Sequence, residues 1–464
     1  MPPSAASSPA DWTPDSWRAC CAPAGPGPIP EYDDAGALGA AVGRIALLPP
    51  LVTRGEIERL RQRLAEAAEG RAFVLWGGDC AETFSDCTSG AIAARLKMLL
   101  QMALVLRAAG DVPVVRIGRI AGQYAKPRSS PVETRVVDGR ATTLHSYFGD
   151  LINRAEFTAE ARRPDPALML EGYRSAGLTL NFIRALLDAG FADLHHPENW
   201  DLGFLSRAAL LPEQREAYRR LAERVSAHPP ADPAAEEFYT SHEALNLWYE
   251  SAQTRRVPRR EGWFNLTCHL PWIGQRTGDE AGAHVEYARG LHNPIGLKIG
   301  PEMTGQRLAR LVRILDPHDE PGRLVLLPRL GVARVRPVLD ELVRALGSIG
   351  RRGLWVVDPM HGNSVVTSRG VKTRSFDDVL AEIREADEVL RGHGRRLAGV
   401  HVELTPLDVT ECVGGAAGIG EDDLPRNYTS PCDPRLNYEQ AMELAFAVAG
   451  LLHDRGAGVS AGPR

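Results

Sequence analysis

Four side chains of ligand-forming type stand far apart in the chain, at Cys80, His361, Glu403 and Asp433. A thiolate, an imidazole and two carboxylates form a donor set that suits a borderline divalent metal such as Mn, Fe, Co or Zn. Each residue alone has a simpler explanation, because cysteine is often just a small buried side chain and a carboxylate often caps a loop. The set therefore predicts a metal site only if the fold brings its members together.

A second group consists of basic side chains. In chain order they are Arg119, Lys126, Arg128, Arg276, Lys298 and Arg329. Cations that converge on one site repel one another unless anions neutralise them, and arginine and lysine both suit phosphates and carboxylates. If these residues meet, they predict a binding site for small anionic molecules.

Both groups lie in or shortly after short apolar runs that are separated by helix-length segments. The eight runs are AFVLW (72–76), PVVRI (113–117), ADLHH (192–196), FNLTCHL (264–270), IGLKIG (295–300), RLVLLPRL (323–330), LWVVDPM (354–360) and GVHVEL (399–404). Such runs are typical of strands buried on both faces of a parallel sheet. Strand–helix units in this number predict an α/β protein with a closed (β/α)8 TIM barrel; a doubly wound open sheet is the alternative. In barrels, catalytic residues lie at the carboxyl ends of the strands, where both groups fall.

The chain is predicted to have an N-terminal arm over 1–53 and a catalytic barrel over 54–464. Residues 54–69 carry apolar residues at helical spacing and end before Gly70, as a helix should. Thr240 and Glu243 have the spacing of a capping box, which predicts that Glu243 begins a helix and takes no part in chemistry.

Composition excludes several classes of protein. The 464 residues include 54 basic and 59 acidic ones, a formal charge of -5, which argues against a general nucleic-acid binder. No stretch approaches the ~18 apolar residues of a membrane span, so no membrane contact is expected. The seven cysteines are irregularly spaced and do not resemble a disulfide framework. These features predict a cytoplasmic protein.

Motifs around these residues resemble a known family. They are WGGDCAETF (76–84), RIAGQYAKPRS (119–129), SHEAL (241–245), WIGQRT (272–277), GLKIGP (296–301), DPMHGN (358–363), HVELT (401–405), TECVGGA (410–416) and CDPRLN (432–437). In this order they closely resemble the type II 3-deoxy-D-arabino-heptulosonate 7-phosphate (DAHP) synthases, over a region from about residue 12 to about residue 453. Several blocks are long and contain unusual residue combinations, which makes chance similarity a poor explanation.

The resemblance implies a (β/α)8 barrel that condenses phosphoenolpyruvate with erythrose 4-phosphate, the first step of the shikimate pathway. The motifs match metal ligands at Cys80, His361, Glu403 and Asp433, for which Mn²⁺ or Co²⁺ is expected ahead of Fe²⁺ or Zn²⁺. They match phosphoenolpyruvate-binding residues at Arg119, Gln275, Arg276, Lys298 and Arg329, and residues near the aldose phosphate at Lys126, Arg128 and Ser129. Lys126 is the expected proton donor to the aldehyde oxygen, with Arg119 and Lys298 also catalytic. The family analogy implies a homodimer or homotetramer.

The chain departs from the family pattern at several positions. Gln275 replaces a usual glutamate, Phe148 a usual arginine and Arg154 a usual glycine. These changes are expected to affect the aldose side and the positioning of water. They leave three hypotheses: a working DAHP synthase, a relative in secondary metabolism that uses a modified acceptor such as an imino-erythrose phosphate, or a non-catalytic paralogue that binds phosphoenolpyruvate.

Overall fold

The structure, a computed structural model, describes residues 12–20, 29–110, 112–128, 130–189, 237–258, 261–350 and 352–459, with a few positions between 190 and 236. Eight parallel strands in this part close into a barrel. They are β1 Phe73–Gly78, β2 Val114–Arg119, β3 Tyr239–Glu243, β4 Leu270–Ile273, β5 Ile295–Ile299, β6 Leu324–Pro328, β7 Leu354–Val357 and β8 Leu397–Glu403. Each strand pairs with its neighbours in the chain, and β1 pairs with β8. The barrel prediction is confirmed and the open sheet is excluded.

Two strand predictions were wrong in position. The third barrel strand is Tyr239–Glu243, and the run 192–196 lies outside the described residues. The capping-box prediction for Glu243 is also wrong, because this residue ends a buried strand and does not begin a helix. The strand's sequence YTSHE is mostly polar although all five residues are buried, so apolar periodicity could not find it. The fourth strand begins where the predicted run 264–270 ends.

Helices alternate with these strands. They are α1 Ala35–Ala46, α2 Arg54–Ala68, α3 Ser89–Gly110, α4 Ala159–Arg162, α5 Ala167–Asp188, α6 Leu247–Ala252, α7 Ala283–Arg289, α8 Gly305–Leu315, α9 Val335–Leu346, α10 Phe376–Gly392 and α11 Tyr438–Val459. Helix α2 confirms the predicted helix over 54–69. A capping box between Thr53 and Glu56 starts it, and Gly70 at φ 80° follows its end.

Short elements lie outside the barrel. Three antiparallel hairpins pair Val132–Val137 with Arg140–His145, Thr254–Arg256 with Trp263–Asn265, and Ser364–Val366 with Lys372–Arg374. Single helical turns cover Ser16–Ala19, Phe84–Asp86, Gln275–Thr277 and Glu421–Arg426. The third hairpin contributes side chains to the functional site.

Helix α3 is the most apolar of the long helices. Contrary to the expectation from sequence, its segment Ser89–Ala108 is long and apolar enough to cross a membrane by length and composition. Of its most apolar window, 61% is buried inside the protein, and α3 packs against α11. Its apolar character is therefore that of a core helix.

The N-terminal segment packs onto the barrel. Trp12 and Trp17 are buried, and the Trp12 indole donates a hydrogen bond to the carbonyl of Glu286 at 2.8 Å. The Trp17 ring meets the edge of Trp248, with centroids 5.0 Å apart. Helix α1 follows, capped by the Asp34 carboxylate. These contacts join the segment to the barrel and mark no boundary between them. The domain boundary at residue 53 therefore stays a prediction.

Candidate active site

The carboxyl ends of the barrel strands surround a cavity of about 270 Å³. Most of the predicted site residues line it: Arg119, Lys126, Arg128, Gln275, Arg276, Lys298, Arg329, His361 and Asp433. Cys80 and Glu403 are fully buried beside it. Ser129 lies outside the described residues. The fold thus collects side chains that lie up to several hundred positions apart in sequence.

Three of the four predicted metal ligands form a compact cluster. One donor atom from each of His361, Glu403 and Asp433 can be chosen so that all three lie within 4.8 Å of one another. The Nε2 atom of His361 lies 3.1 Å from Oε1 of Glu403. Behind the ring, Asp358 accepts a hydrogen bond from Nδ1 at 2.7 Å, which directs Nε2 towards the cluster. A carboxylate behind a histidine is the usual support of a metal-binding imidazole, so these residues fit a divalent cation.

The fourth predicted ligand, Cys80, stands at the edge of this cluster. Its Sγ atom lies 3.3 Å from the Ser430 hydroxyl, and a hydrogen bond with Cys432 together with burial raises the pKa of Cys80. The thiol is therefore held protonated by its surroundings until a cation is present to stabilise the thiolate. Both cysteines are free in the structure.

Cations surround the carboxylates of the cluster. Burial opposes ionisation of Glu403, but the charges of His361, Lys126, Arg119 and Arg374 hold its pKa well below the usual range. The Arg119 guanidinium donates to Oε1 at 2.9 Å and that of Arg374 to Oε2 at 2.8 Å. Both arginines are buried, so the carboxylate is fixed from two sides. Arg374 was missed from sequence because it lies in a hairpin strand and not in a barrel strand.

Lys126 links the metal cluster to the cavity. Its Nζ lies 3.3 Å from Oε1 of Glu403 and forms an ion pair with Asp433. Burial disfavours the ammonium, but the charges of Asp433 and Glu403 outweigh it and raise the pKa of Lys126. The residue is therefore protonated, which is the state that a proton donor next to the cluster must have.

Lys298 has the opposite shift. Burial lowers the pKa of Lys298 to about 8, although it pairs with Asp358 and donates to Nδ1 of His401 at 2.9 Å. Arg119 adds to the lowering by like-charge repulsion. An incoming anion would favour the charged form of this lysine.

The remaining cations lie around the cavity. The Nη2 atom of Arg329 donates to the carbonyl of His361 at 2.6 Å, and its buried Nε has no partner among the described residues. Arg276 follows β4 in the helical turn with Gln275. Arg128 donates to Sγ of Cys432 at 3.0 Å. A donor without a partner at the wall of a cationic cavity fits an anionic ligand.

Two further cavity residues were not predicted. Lys372 comes from the third hairpin and forms an ion pair with Asp433. Glu243 ends β3, and its Oε1 atom is buried without a hydrogen-bond partner. Burial raises the pKa of Glu243 to about 7, although Lys298 and Lys126 act in the opposite direction. A carboxyl with a free oxygen and a pKa near neutrality can both take up and release a proton.

Phe148 and Arg154 do not line the cavity. The Arg154 side chain is 45% exposed and pairs with Glu171 at 3.0 Å. The Phe148 carbonyl accepts a hydrogen bond from the Lys126 backbone at 2.9 Å, an interaction that any residue at 148 can make. The expectation that these two substitutions reshape the aldose pocket is not supported, whereas Gln275 does stand in the cavity wall.

Comparisons with known proteins show the family of the chain. The model of the Class-II DAHP synthetase family matches residues 12–449. A phospho-2-dehydro-3-deoxyheptonate aldolase of Neurospora crassa is 43% identical over 463 residues, covering 94% of each chain. One of Streptomyces coelicolor is 44% identical over 431 residues, covering 92% of this chain and 95% of its own length.

A solved structure adds a weaker likeness. The phospho-2-dehydro-3-deoxyheptonate aldolase of Francisella tularensis SCHU S4 has 14% identity and a TM-score of 0.47, covering 92% of this chain and 99% of that chain. The assignment of the barrel rests on the strand pairing of this chain itself.

Proposed function

The chain belongs to the class-II DAHP synthetase family, and we propose that the cavity described above is where it condenses phosphoenolpyruvate with erythrose 4-phosphate. The products are DAHP and phosphate, and the reaction is the first step of the shikimate pathway. The observation that carries the placement is the meeting of one cationic cavity with a histidine–carboxylate cluster. A metal-dependent condensation of two phosphorylated substrates uses both features.

The cations of the cavity divide into two sets. The family resemblance assigns Arg119, Arg276, Lys298 and Arg329, together with Gln275, to phosphoenolpyruvate, and all of them line the cavity. It assigns Lys126, Arg128 and Ser129 to the aldose phosphate, and we add Lys372, which the hairpin brings to the cavity wall. Holding two highly charged anions in reacting geometry lowers the entropic cost of their encounter and neutralises their repulsion.

His361, Glu403 and Asp433 would hold a divalent metal, with Cys80 as the expected fourth ligand. When bound, the metal supplies Lewis-acid polarisation of the aldehyde oxygen. Mn²⁺ and Co²⁺ suit this mixture of imidazole, carboxylate and thiolate donors. Lys126 gives a proton to that oxygen as C3 of phosphoenolpyruvate forms the new carbon–carbon bond.

Water then adds at C2 of the phosphoenolpyruvate unit, and the C2–O bond to phosphate breaks. Glu243 is the group we assign to take the proton from that water. Among the cavity-lining carboxyls of the described residues, Asp433 is engaged by two lysines, whereas Glu243 keeps an oxygen free. A neutral Gln275 cannot serve as a base, so Glu243 would supply the proton acceptor that a glutamate at 275 could otherwise provide.

The identity of the acceptor is tested by measuring phosphate release with each candidate acceptor in turn. We expect purified enzyme with Mn²⁺ and phosphoenolpyruvate to release phosphate with erythrose 4-phosphate at ~1–10³ s⁻¹. Release only with an imino-erythrose phosphate would assign the chain to modified-acceptor chemistry. Binding of phosphoenolpyruvate without release from any acceptor would indicate a non-catalytic paralogue. We further propose a cytoplasmic homodimer or homotetramer that binds neither nucleic acid nor membrane.

A further inference from the structure

A buried glutamate of helix α10 stands behind the site. Glu382 has no exposed surface, and none of the ion pairs found among the described residues involves it. A carboxylate buried without a cation is costly unless hydrogen bonds satisfy both oxygens. It also lines no part of the cavity, so a direct role in binding substrate is excluded.

The hydrogen bonds of Glu382 lead to two different loops. Its Oε1 atom accepts from the backbone nitrogens of Leu330 at 2.9 Å and Gly331 at 3.0 Å, in the loop after β6. Its Oε2 atom accepts from the Asn363 side chain at 2.7 Å, in the loop after β7. One carboxylate therefore joins the loop that begins with Arg329 to the loop that carries His361.

The two loops also touch each other closely. A Cβ atom at Gly362 would lie 2.1 Å from the backbone nitrogen of Gly331, so only glycine fits this crossing. The Oδ1 atom of Asn363 accepts from the backbone of Val332 at 2.9 Å. With the 2.6 Å bond from Arg329 to the His361 carbonyl, the loops form one packed unit. Glu382 is the side chain that reaches both loops from the helix outside the barrel.

We propose that Glu382 is a positioning residue that holds the loops after β6 and β7 in one fixed relation. The phosphoenolpyruvate-binding Arg329 and the metal-binding His361 then keep a constant separation. The assignment of phosphoenolpyruvate to Arg329 and of the metal to His361 rests on the proposed function. Arg329 and His361 thus share one buried carboxylate as a common support, in addition to the direct contacts between their loops.

Burial raises the pKa of Glu382 to about 8, and the backbone N–H groups of Leu330 and Gly331 act against that shift. The hydrogen bonds themselves are those of a carboxylate, because neither oxygen has an acceptor to which a carboxyl proton could be donated. Glu382 meets three N–H donors with two oxygens, and both oxygens must accept. A glutamine would offer one oxygen and one NH₂ group, so a donor would face either the Asn363 amide or the backbone nitrogens. Because two donors cannot form a hydrogen bond with each other, residue 382 would lose its bond to one of the two loops.

A second buried glutamate provides a contrast on the other side of the cavity. Glu82 accepts from the backbone nitrogens of Ala121 at 3.1 Å, Gly122 at 3.0 Å and Gln123 at 2.9 Å. This loop runs from Arg119, assigned to phosphoenolpyruvate, to Lys126, assigned to the aldose phosphate. The two glutamates therefore support different loops of the site, which allows their effects to be separated.

The test measures equilibrium binding of Mn²⁺ and of phosphoenolpyruvate to Glu382→Gln, Glu82→Gln and a matched control, Glu385→Gln on the outer part of the same helix. For Glu382→Gln we expect both dissociation constants to rise about 10-fold, the lower end of the usual effect of a supporting residue on metal affinity. In the same variant the KM for erythrose 4-phosphate should stay within about twofold of the wild-type value. Glu82→Gln, whose loop joins Arg119 to Lys126, should instead raise the KM for erythrose 4-phosphate together with the dissociation constant for phosphoenolpyruvate. Glu385→Gln should match the wild type.

A purely structural role would lower the melting temperature and the active fraction without changing either dissociation constant of the folded molecules. That result, with circular dichroism showing a folded Glu382→Gln, overturns the inference alone. If this variant does not fold, Glu382→Asp keeps the charge with a shorter reach and is judged by the same two constants. If the wild type binds neither ligand, the proposed function fails and the inference fails with it.

Discussion

The Nζ atom of Lys126 lies 3.3 Å from Oε1 of Glu403. The same ammonium pairs with Asp433, so a protonated lysine stands against two of the carboxylates assigned to the metal. A proton donor is thereby held next to the place where the aldehyde oxygen would be polarised. This contact places the proposed proton donor, Lys126, directly beside the proposed metal ligands.

Replacing Lys126 should therefore affect the chemical step more than substrate binding. For Lys126→Met we expect kcat to fall by about 10²–10⁴, the usual contribution of a general acid. The dissociation constant for phosphoenolpyruvate should change by less than about threefold, because Lys126 faces the aldose side. Steady-state kinetics and isothermal titration measure the two quantities, with Lys97→Met on helix α3 as the control. A loss confined to phosphoenolpyruvate binding would refute the assignment.

The hydrogen bond from His361 to Asp358 predicts that Asp358 affects the affinity for the metal. Asp358 accepts from Nδ1 of His361 and also pairs with Lys298. We expect Asp358→Asn to weaken Mn²⁺ binding about 10–100-fold, because the imidazole loses its orientation. Asp340→Asn, which alters a more exposed carboxylate paired with Arg344, should bind the metal as the wild type does. Equal affinities for the two variants in a metal titration would show that Asp358 has no such role.

Glu243 predicts a pH dependence. Its folded pKa is about 7, raised by burial, and its proposed role as a base requires the ionised form. The value of kcat/KM should therefore fall as the pH decreases through about 7. In Glu243→Gln this limb of the profile should vanish and kcat should fall by about 10²–10⁴. An unchanged acidic limb in the variant would assign that titration to another group.

Glu443 predicts a change in stability. Burial raises its pKa to about 7 from an ordinary value of 4.5, although it accepts a bond from the Ala416 nitrogen at 2.7 Å. A raised carboxyl pKa stabilises the fold below pH 4.5, and that contribution is lost as the pH rises to about 7. Glu443→Gln should thus exceed the wild type by about 1–3 kcal/mol in free energy of unfolding above pH 7 and match it near pH 4.5.

Chemical denaturation at several pH values measures this difference. The exposed Glu421→Gln is the control and should show no growing gap between the two pH values. A difference for Glu443→Gln that stays constant with pH would mean that the effect does not come from ionisation.

Sequence reasoning located the residues that follow apolar strands. Cys80, Lys298, Arg329, His361 and Glu403 all lie in or just after such strands, so their placement followed from the barrel hypothesis. The motifs of the family resemblance then supplied the reaction, which composition alone could not.

Two kinds of residue escaped this reasoning. Glu243 was missed because β3 is mostly polar although it is buried, so no apolar run marks it. Arg374 and Lys372 were missed because a hairpin outside the barrel brings them to the site, and no local pattern encodes that long-range contact. That Arg154 pairs with Glu171 and does not line the cavity could not be read from its place in a motif.

The central claim is that this cavity condenses phosphoenolpyruvate with erythrose 4-phosphate in a metal-dependent reaction. The most direct measurement is phosphate release by the Mn²⁺-loaded wild type and by His361→Ala, with mass identification of the sugar product. We predict one phosphate per DAHP in the wild type and a rate at least about 10²-fold lower in His361→Ala at the same metal concentration. Full metal-dependent DAHP formation by His361→Ala, or no DAHP from the metal-loaded wild type, would contradict the account.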